Sequence, residues 1–306
     1  MVMSEGANNS AMAVAVVGGG QMGTGIAHAF AMAGYQVTLI DTQEAQLTRA
    51  NAAVEEILAQ GVKLGKLTTE KQSEVAGRIQ TSTDLTATLS SGSFDWVVET
   101  VIESMPVKAA IVREADRLLP PGAIIASNTS ALSVTEIAAH TSRPDRFIGL
   151  HFFNPVHKMK LLEIVRGLAT SDDTLSRARE LGAALGKTVV VVNDSPGMTT
   201  SRMSAMLGNE AMYMLQEGVA TAEDIDAALR GGLNHPMGPL ELGDLTGWDT
   251  RLKVLQHLHQ TLGEKFRPCP LIIKMVAAGH AGRKSGRGVY EYRDGSKVAG
   301  SGLGAR

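Results

Sequence analysis

A histidine and a glutamate twelve positions apart carry the first chemical signal in this chain. The run Phe147-Ile-Gly-Leu-His151-Phe-Phe-Asn154-Pro155 reads as an extended stretch that breaks at Asn154-Pro155, and Lys160-Leu-Leu-Glu163-Ile-Val resumes it. If the two stretches pair antiparallel about His157, His151 and Glu163 stand opposite each other, close enough for an imidazole N–H to reach a carboxylate. An imidazole oriented by an acid is a competent general base, able to draw a proton from an alcohol while a hydride leaves the same carbon. A lone histidine on an apolar strand is more often a satisfied core residue, so the pair alone leaves both readings open.

A second signal raises the weight of the first. Gly18, Gly20 and Gly23, with Gln21 and Met22 between them, join the apolar run Met12 to Val17 to the small-residue run Thr24 to Ala33. Strand, Gly-x-Gly-x-x-Gly turn and helix in that order form a dinucleotide-binding signature. The first glycine permits the tight turn, the second lets backbone approach a pyrophosphate, and the third packs helix on strand. The N–H groups at the helix start then favour phosphate charge. A further apolar run, Gln36 to Ile40, ends at Asp41, eighteen residues past Gly23. A carboxylate there accepts hydrogen bonds from a ribose 2′-hydroxyl and repels a 2′-phosphate, so the cofactor expected is NAD.

The elements that must position these residues alternate along the chain. Strand-like runs at 14–17, 37–40, 78–81, 96–99, 123–126, 147–152, 160–165 and 189–192 are separated by helical patterns, the pattern of a doubly wound parallel sheet, α/β in class. A long helix over 42–61 and a turn into another helix over 61–73 read as an insertion after the second strand. The breaker cluster Asn193-Asp194-Ser195-Pro196-Gly197 marks the domain boundary, and the stretches that follow carry helical spacing until a strand pattern at 288–292. The expected organisation is a disordered leader over 1–11, a Rossmann domain over 12–193, a mainly α-helical domain over 194–292 and a disordered tail over 293–306.

Composition excludes several functions. With 306 residues, 44% hydrophobic and 20% charged, the chain can bury two sizeable cores. A formal net charge of −2 and the lack of a basic block give no attraction to nucleic acid or to an anionic membrane surface. No apolar run is long enough to span a bilayer. One cysteine, Cys269, rules out an intrachain disulfide and has no partners at metal-ligand spacing, so no metal is expected and a reducing cytoplasm is the simplest compartment.

At this point the sequence resembles the L-3-hydroxyacyl-CoA dehydrogenase family. The motifs that carry the resemblance are Gly18-Gly-Gly-Gln-Met-Gly23, Val97-Val-Glu99-Thr-Val-Ile-Glu103 with Lys108, Ser127-Asn-Thr-Ser130, His151-Phe-Phe-Asn154-Pro155, Lys160-Leu-Leu-Glu163, His235-Pro-Met-Gly-Pro-Leu and Gly282-Arg-Lys-Ser-Gly-Arg-Gly-Val-Tyr290, in family order over residues 12 to 292. The resemblance implies an N-terminal Rossmann domain with a helical dimerising domain, and reversible NAD-linked oxidation of the 3-hydroxyl of an acyl-CoA, short-chain by expectation. It makes His151 the base and Glu163 its orienting partner. Ser130 and Asn154 would contact the substrate, while Glu99, Lys108 and Asn128 would lie along the nicotinamide half of the cofactor. One departure stands out: where the family usually has Phe, two aliphatics and Asn-Arg after Pro-Gly, this chain has Met198-Thr199-Thr200-Ser201-Arg202, so the shorter Ser201 takes the place of the site asparagine.

Plainer readings run beside these. Ser133 and Glu136 have the spacing of a helix-capping box, Asn154-Pro155 that of a turn, and Lys108 that of a solvated helix residue. The same His–Glu pair would also serve a CoA-free 3-hydroxy acid or sugar acid, as gulonate and crystallin-like relatives imply. A third reading is a non-catalytic NAD-binding protein.

Overall fold

The structure is a computed structural model and describes residues 12–304. The expected leader over 1–11 and the last two residues lie outside that range. The chain divides after Ser195 into two compact units.

The first unit is built on eight strands: β1 Ala13–Val17, β2 Gln36–Ile40, β3 Ile79–Ser82, β4 Trp96–Glu99, β5 Ile124–Ser127, β6 Phe147–Phe152, β7 Leu161–Arg166 and β8 Thr188–Asn193. Their order across the sheet is β3-β2-β1-β4-β5-β6-β7-β8, and every neighbouring pair is parallel except β6 with β7. The central strands bury both faces, which is why they read as unbroken apolar runs such as Trp96-Val-Val-Glu99. Helices α1 Gln21–Met32, α2 Glu44–Lys63, α3 Thr69–Gly77, α4 Leu85–Ser91, α5 Met105–Leu118, α6 Val134–Ala138 and α7 Asp172–Ala184 complete the unit. Thr68, Asp84, Ser133 and Ser171 each cap the helix that follows by accepting a backbone N–H.

Helix α1 is packed so closely that its buried histidine lacks hydrogen-bond partners. Its Gly25 faces Val156, where an added Cβ would stand 2.9 Å from the valine side chain. One turn on, His28 is 6% exposed, and neither of its ring nitrogens has a hydrogen-bond partner. Its ring meets that of His157 edge-on with centroids 6.2 Å apart. Burial, then the charges of His157 and Lys187, lowers the His28 pKa to about 4.

The second unit is helical: α8 Thr200–Glu217, α9 Ala222–Leu233, α10 Pro239–Thr246, α11 Trp248–Leu262 and α12 Pro270–Ala277. Its core gathers Met212, Leu240, Trp248, Leu255, Phe266 and Tyr290. The methionines of α8 divide: Met212 is buried, Met206 and Met214 pack against the core, and Met203 is 71% exposed.

Two expectations are corrected in this unit. The strand anticipated at 288–292 begins only at Tyr292, the preceding residues being tied by single bridges of Arg287 to Gly282 and Glu291. The tail over 293–304 is ordered. Strands β9 Tyr292–Arg293 and β10 Ser296–Lys297 form a hairpin whose turn residues, Asp294 and Gly295, both have positive φ (51° and 74°). Asp-Gly is the dipeptide such a two-residue turn favours, a signal that the low apolar content of the segment obscured. Beyond the hairpin, Leu303 N donates to Val289 O at 2.8 Å, Gly302 N donates to Glu223 Oε1 at 2.9 Å, and the Leu303 side chain packs on the core.

Two predictions follow from this packing. Deleting residues 295–306 should lower the thermal stability of the protein by about 1–3 kcal/mol, the range for losing a few partly buried contacts; an unchanged melting temperature would show the tail to be passive. For His28, the unfolded chain takes a proton near pH 6.5 and the folded chain only near 4, so stability is full above 6.5 and declines as pH falls toward 4. The loss amounts to about 3 kcal/mol. The difference in unfolding free energy between the protein and His28→Leu, followed from pH 7.5 to 4.5, should shrink on acidification; a constant difference refutes the assignment.

Candidate active site

The antiparallel pair β6–β7 sets His151 opposite Glu163 in register. Their side chains meet: His151 Nδ1 lies 2.7 Å from Glu163 Oε2, with His151 6% exposed and Glu163 fully buried. A carboxylate at Nδ1 makes that nitrogen the N–H donor and leaves Nε2 as the acceptor, which is the tautomer a general base needs. The Phe153 ring packs 4.4 Å from the imidazole, centroid to centroid, and limits its rotation. After Phe153 the chain turns through a cis Asn154–Pro155 bond. Lys187 Nζ then fastens the loop by donating to Val156 O at 2.6 Å and Met159 O at 2.8 Å.

The glycine loop has the shape a pyrophosphate needs. Gly18 has φ +108°, and its N–H donates to Ile40 O at 2.7 Å. At Gly23 an added Cβ would stand 1.8 Å from Gly18 O, so no other residue fits, whereas a Cβ on Gly20 would meet nothing within 4 Å. Helix α1 begins at Gln21 with no side-chain cap, leaving its first N–H groups, those of Gln21, Met22 and Gly23, for a ligand. Met22 also packs against the core while Gln21 is exposed. Asp41 does more than its sequence position suggested. Its Oδ2 accepts from Gly19 N at 2.8 Å and its Oδ1 from Gln43 N at 2.9 Å, so the carboxylate braces the glycine loop. Beside it lies a pocket of about 480 Å³ with apolar walls from Leu85, Val101, Val107 and Ile111. These features fit NAD.

A buried charge network lies at the ends of β4 and β5. Lys108, from α5, places Nζ 2.8 and 2.9 Å from the two oxygens of Glu99, and neither side chain has any exposed surface. Ser127 donates to Glu99 Oε1 from the facing position on β5. Lys108 is therefore not the solvated helix residue its surroundings in sequence allow. Its ammonium also reaches Glu103 Oε2 at 3.2 Å. The other oxygen of Glu103 collects the Ser130 N–H at 2.6 Å, Thr129 Oγ1 at 2.8 Å, and Ser130 Oγ and Ala131 N at 3.2 Å. Burial would raise the Glu103 pKa, but the Lys108 charge and the bonds from Ser130 and Thr129 outweigh it and hold the carboxyl below its ordinary range. Glu103 was visible in the sequence only as the last residue of a motif; the five-residue span Glu99 to Glu103 was the available signal, and the structure supplies its role. Asn128 Oδ1 accepts from Phe152 N at 2.9 Å, tying this network to the strand that carries His151.

Asn154 borders a cleft of about 540 Å³ between the start of α1, the face of α2 with Gln46, Arg49 and Ile57, and the loop through His157 and Lys158. The structure thus brings together His151 and Glu163, and Glu99 with Lys108, Asn128 and Ser130. Ser201 belongs to the second unit, where it lines a smaller pocket with Ser204, Thr246 and Arg251. Among the described residues no cluster of histidine, cysteine or carboxylate side chains could hold a metal ion.

Residues 13–195 match the family model described as 3-hydroxyacyl-CoA dehydrogenase, NAD binding domain, and residues 197–292 match that of its C-terminal domain. The chain is 45% identical over 286 residues to a 3-hydroxybutyryl-CoA dehydrogenase of Bradyrhizobium diazoefficiens, covering 93% of this chain and 97% of that protein. It is 45% identical over 282 residues to a probable 3-hydroxybutyryl-CoA dehydrogenase of Bacillus subtilis, covering 92% and 97%. The crystal structure of the (S)-3-hydroxybutyryl-CoA dehydrogenase of Ralstonia eutropha superposes with a TM-score of 0.89 at 43% identity, over 93% of this chain and all of that one. With an open glycine loop, a buried His–Glu pair and family matches across both units, the chain belongs to the NAD-dependent 3-hydroxyacyl-CoA dehydrogenases.

Proposed function

We propose that the protein oxidises the 3-hydroxyl of a short-chain L-3-hydroxyacyl-CoA to the 3-keto thioester, reversibly, with His151 as the base. The observation that carries this reading is the 2.7 Å bond from His151 Nδ1 to the buried Glu163. In the oxidising direction His151 Nε2 accepts the hydroxyl proton, and the imidazolium that forms is stabilised by Glu163 at Nδ1. NAD supplies the hydride acceptor for the carbon that bears the hydroxyl. In the reverse direction the imidazolium returns the proton to the developing alkoxide.

The other site residues act around this pair. Ser130, on a loop held by Glu103, and Asn154, at the mouth of the cleft, offer hydrogen bonds to the substrate oxygens. Glu99 and Lys108 have no surface of their own, so they act as positioning residues: what they contribute to the nicotinamide side passes through Ser127, Asn128 and the Glu103 loop. The cleft beside α2, with Arg49 and Lys158 on its rim, suits a long polar thioester arm. Relatives that carry the name 3-hydroxybutyryl-CoA dehydrogenase along nearly their whole length support a four-carbon acyl group and a place in short-chain fatty acid metabolism. We also place the protein in the cytoplasm as a homodimer through its helical unit. The free buried Cys269 suits a reducing compartment, and exposed apolar side chains on that unit, Met203, Val219 and Leu233, suit a partner surface.

NADH oxidation with acetoacetyl-CoA, measured beside acetoacetate and a keto sugar acid, tests the reaction; turnover of the CoA-free acids alone would refute it. His151→Ala should lower kcat by about 10²- to 10⁴-fold with folding and NAD binding retained, as loss of a general base does. Glu163→Gln should lower it less, because Nδ1 keeps an acceptor. Near-normal turnover by a folded His151→Ala protein would remove His151 from the chemistry.

Asp41→Ala should raise KM for NAD and narrow the preference over NADP, since one carboxylate both faces the ribose and holds Gly19. Comparing kcat/KM for the two cofactors checks it, and an unchanged ratio would leave Asp41 as a loop brace only.

A further inference from the structure

The helical unit holds a buried cation that no acid among the described residues neutralises. Arg251, on α11, is 6% exposed, yet among the described residues no carboxylate lies within ion-pair distance of it. Its neighbours in sequence are already engaged: Asp249 pairs with Lys284 at 2.7 Å, and Asp244 accepts from Trp248, Val289, Tyr290 and Tyr292. The guanidinium has neutral partners only. One terminal nitrogen donates to Ser204 O, the other reaches Ser204 Oγ at 3.2 Å and Thr246 Oγ1 at 3.3 Å, and Nε has none. Burial lowers its pKa to about 10, so the group stays charged at neutral pH.

The chain is shaped to keep the arginine there. A Cβ at Gly208 would stand 2.8 Å from the guanidinium, so this position on α8 makes room for it. The Trp248 ring stacks at 5.6 Å. Beside the arginine is a pocket of about 140 Å³ with hydroxyls on its walls from Ser201, Ser204, Thr246 and Thr250. A buried unpaired charge is among the costliest features a protein can carry, and it is retained where an opposite charge completes it.

We propose that this pocket binds a carboxylate, with Arg251 as its counter-ion and the surrounding hydroxyls as donors. A single guanidinium matches a single negative charge, and a planar carboxylate matches its fork. A pocket of this volume holds a ligand of about six heavy atoms, the size of a benzene-binding cavity. The carboxylate is that of a free short organic acid.

Calorimetric titration of the intact protein with butyrate and with its neutral isostere butyramide tests the pocket without any variant. Butyrate should bind more tightly than butyramide by about tenfold or more, as a charge-assisted hydrogen bond does. Arg251→Met should abolish that preference, and Arg251→Lys should keep part of it. Equal binding of butyrate and butyramide, or a preference that survives Arg251→Met in a folded protein, overturns the proposal.

Discussion

The reversal of one strand is the constraint on which the candidate chemistry depends. Every other neighbour in the eight-stranded sheet runs parallel, and β7 turns back beside β6 after a short loop. Only that reversal lets an acid from the next strand return to the histidine at the carboxyl end of the last one. Because side chains alternate along a strand, a slip of one residue would send Glu163 to the opposite face. The register is held from several sides. Gly149 accommodates Val165 so closely that a Cβ would stand 2.7 Å from it, β8 pairs with all of β7, and Lys187 clamps two carbonyls of the connecting loop.

Buried charge is used differently in the two units. In the first, Glu99, Lys108 and Glu103 satisfy one another and their neighbouring hydroxyls, so the desolvation of each is offset by fixed partners. The result is geometric: the Ser130 loop and the end of β6 are held against the same network. In the second, Asp226 and Asp244 organise the loops. Asp226 accepts from Leu240 N, Glu241 N and Tyr290 OH at 2.7–3.0 Å, and Asp244 from two backbone N–H groups and two aromatic donors. Burial raises the pKa of both, and those hydrogen bonds counter it only in part. Arg251 stands apart from this pattern because its partners are neutral.

The sites that lack partners are as informative as the satisfied ones. His28 keeps two unpaired ring nitrogens next to His157, so acid presses on the helix that begins at the dinucleotide loop. Gly20, at the start of that helix, leaves open space where its neighbours Gly18 and Gly23 leave none. Tight packing on one side and an open backbone on the other is what a phosphate-binding turn requires.

Much of the fold was legible in the amino-acid order because local rules govern it. The eight strands are apolar runs of strand length between breakers. The glycine turn needs positive φ and close approach, and the His151–Glu163 pairing follows from symmetry about a turn. Less was legible where distant segments meet. The ordered tail depends on Leu303 and on two carboxylates, Glu223 of α9 holding Gly302 N and Glu241 of α10 holding Lys297, invisible in a segment poor in apolar residues. Lys108 reads as a surface lysine until Glu99 and Glu103 are folded around it, and Asp41 as a ribose ligand until Gly19 is seen on its other oxygen. The sequence by itself determined the alternating α/β order, the dinucleotide turn and the pairing of His151 with Glu163, the last two encoded in short consecutive stretches. Tertiary structure alone decided which charges are buried together and which is left unpaired, because desolvation depends on every neighbour in space, and those neighbours lie on separate elements that meet only in the fold.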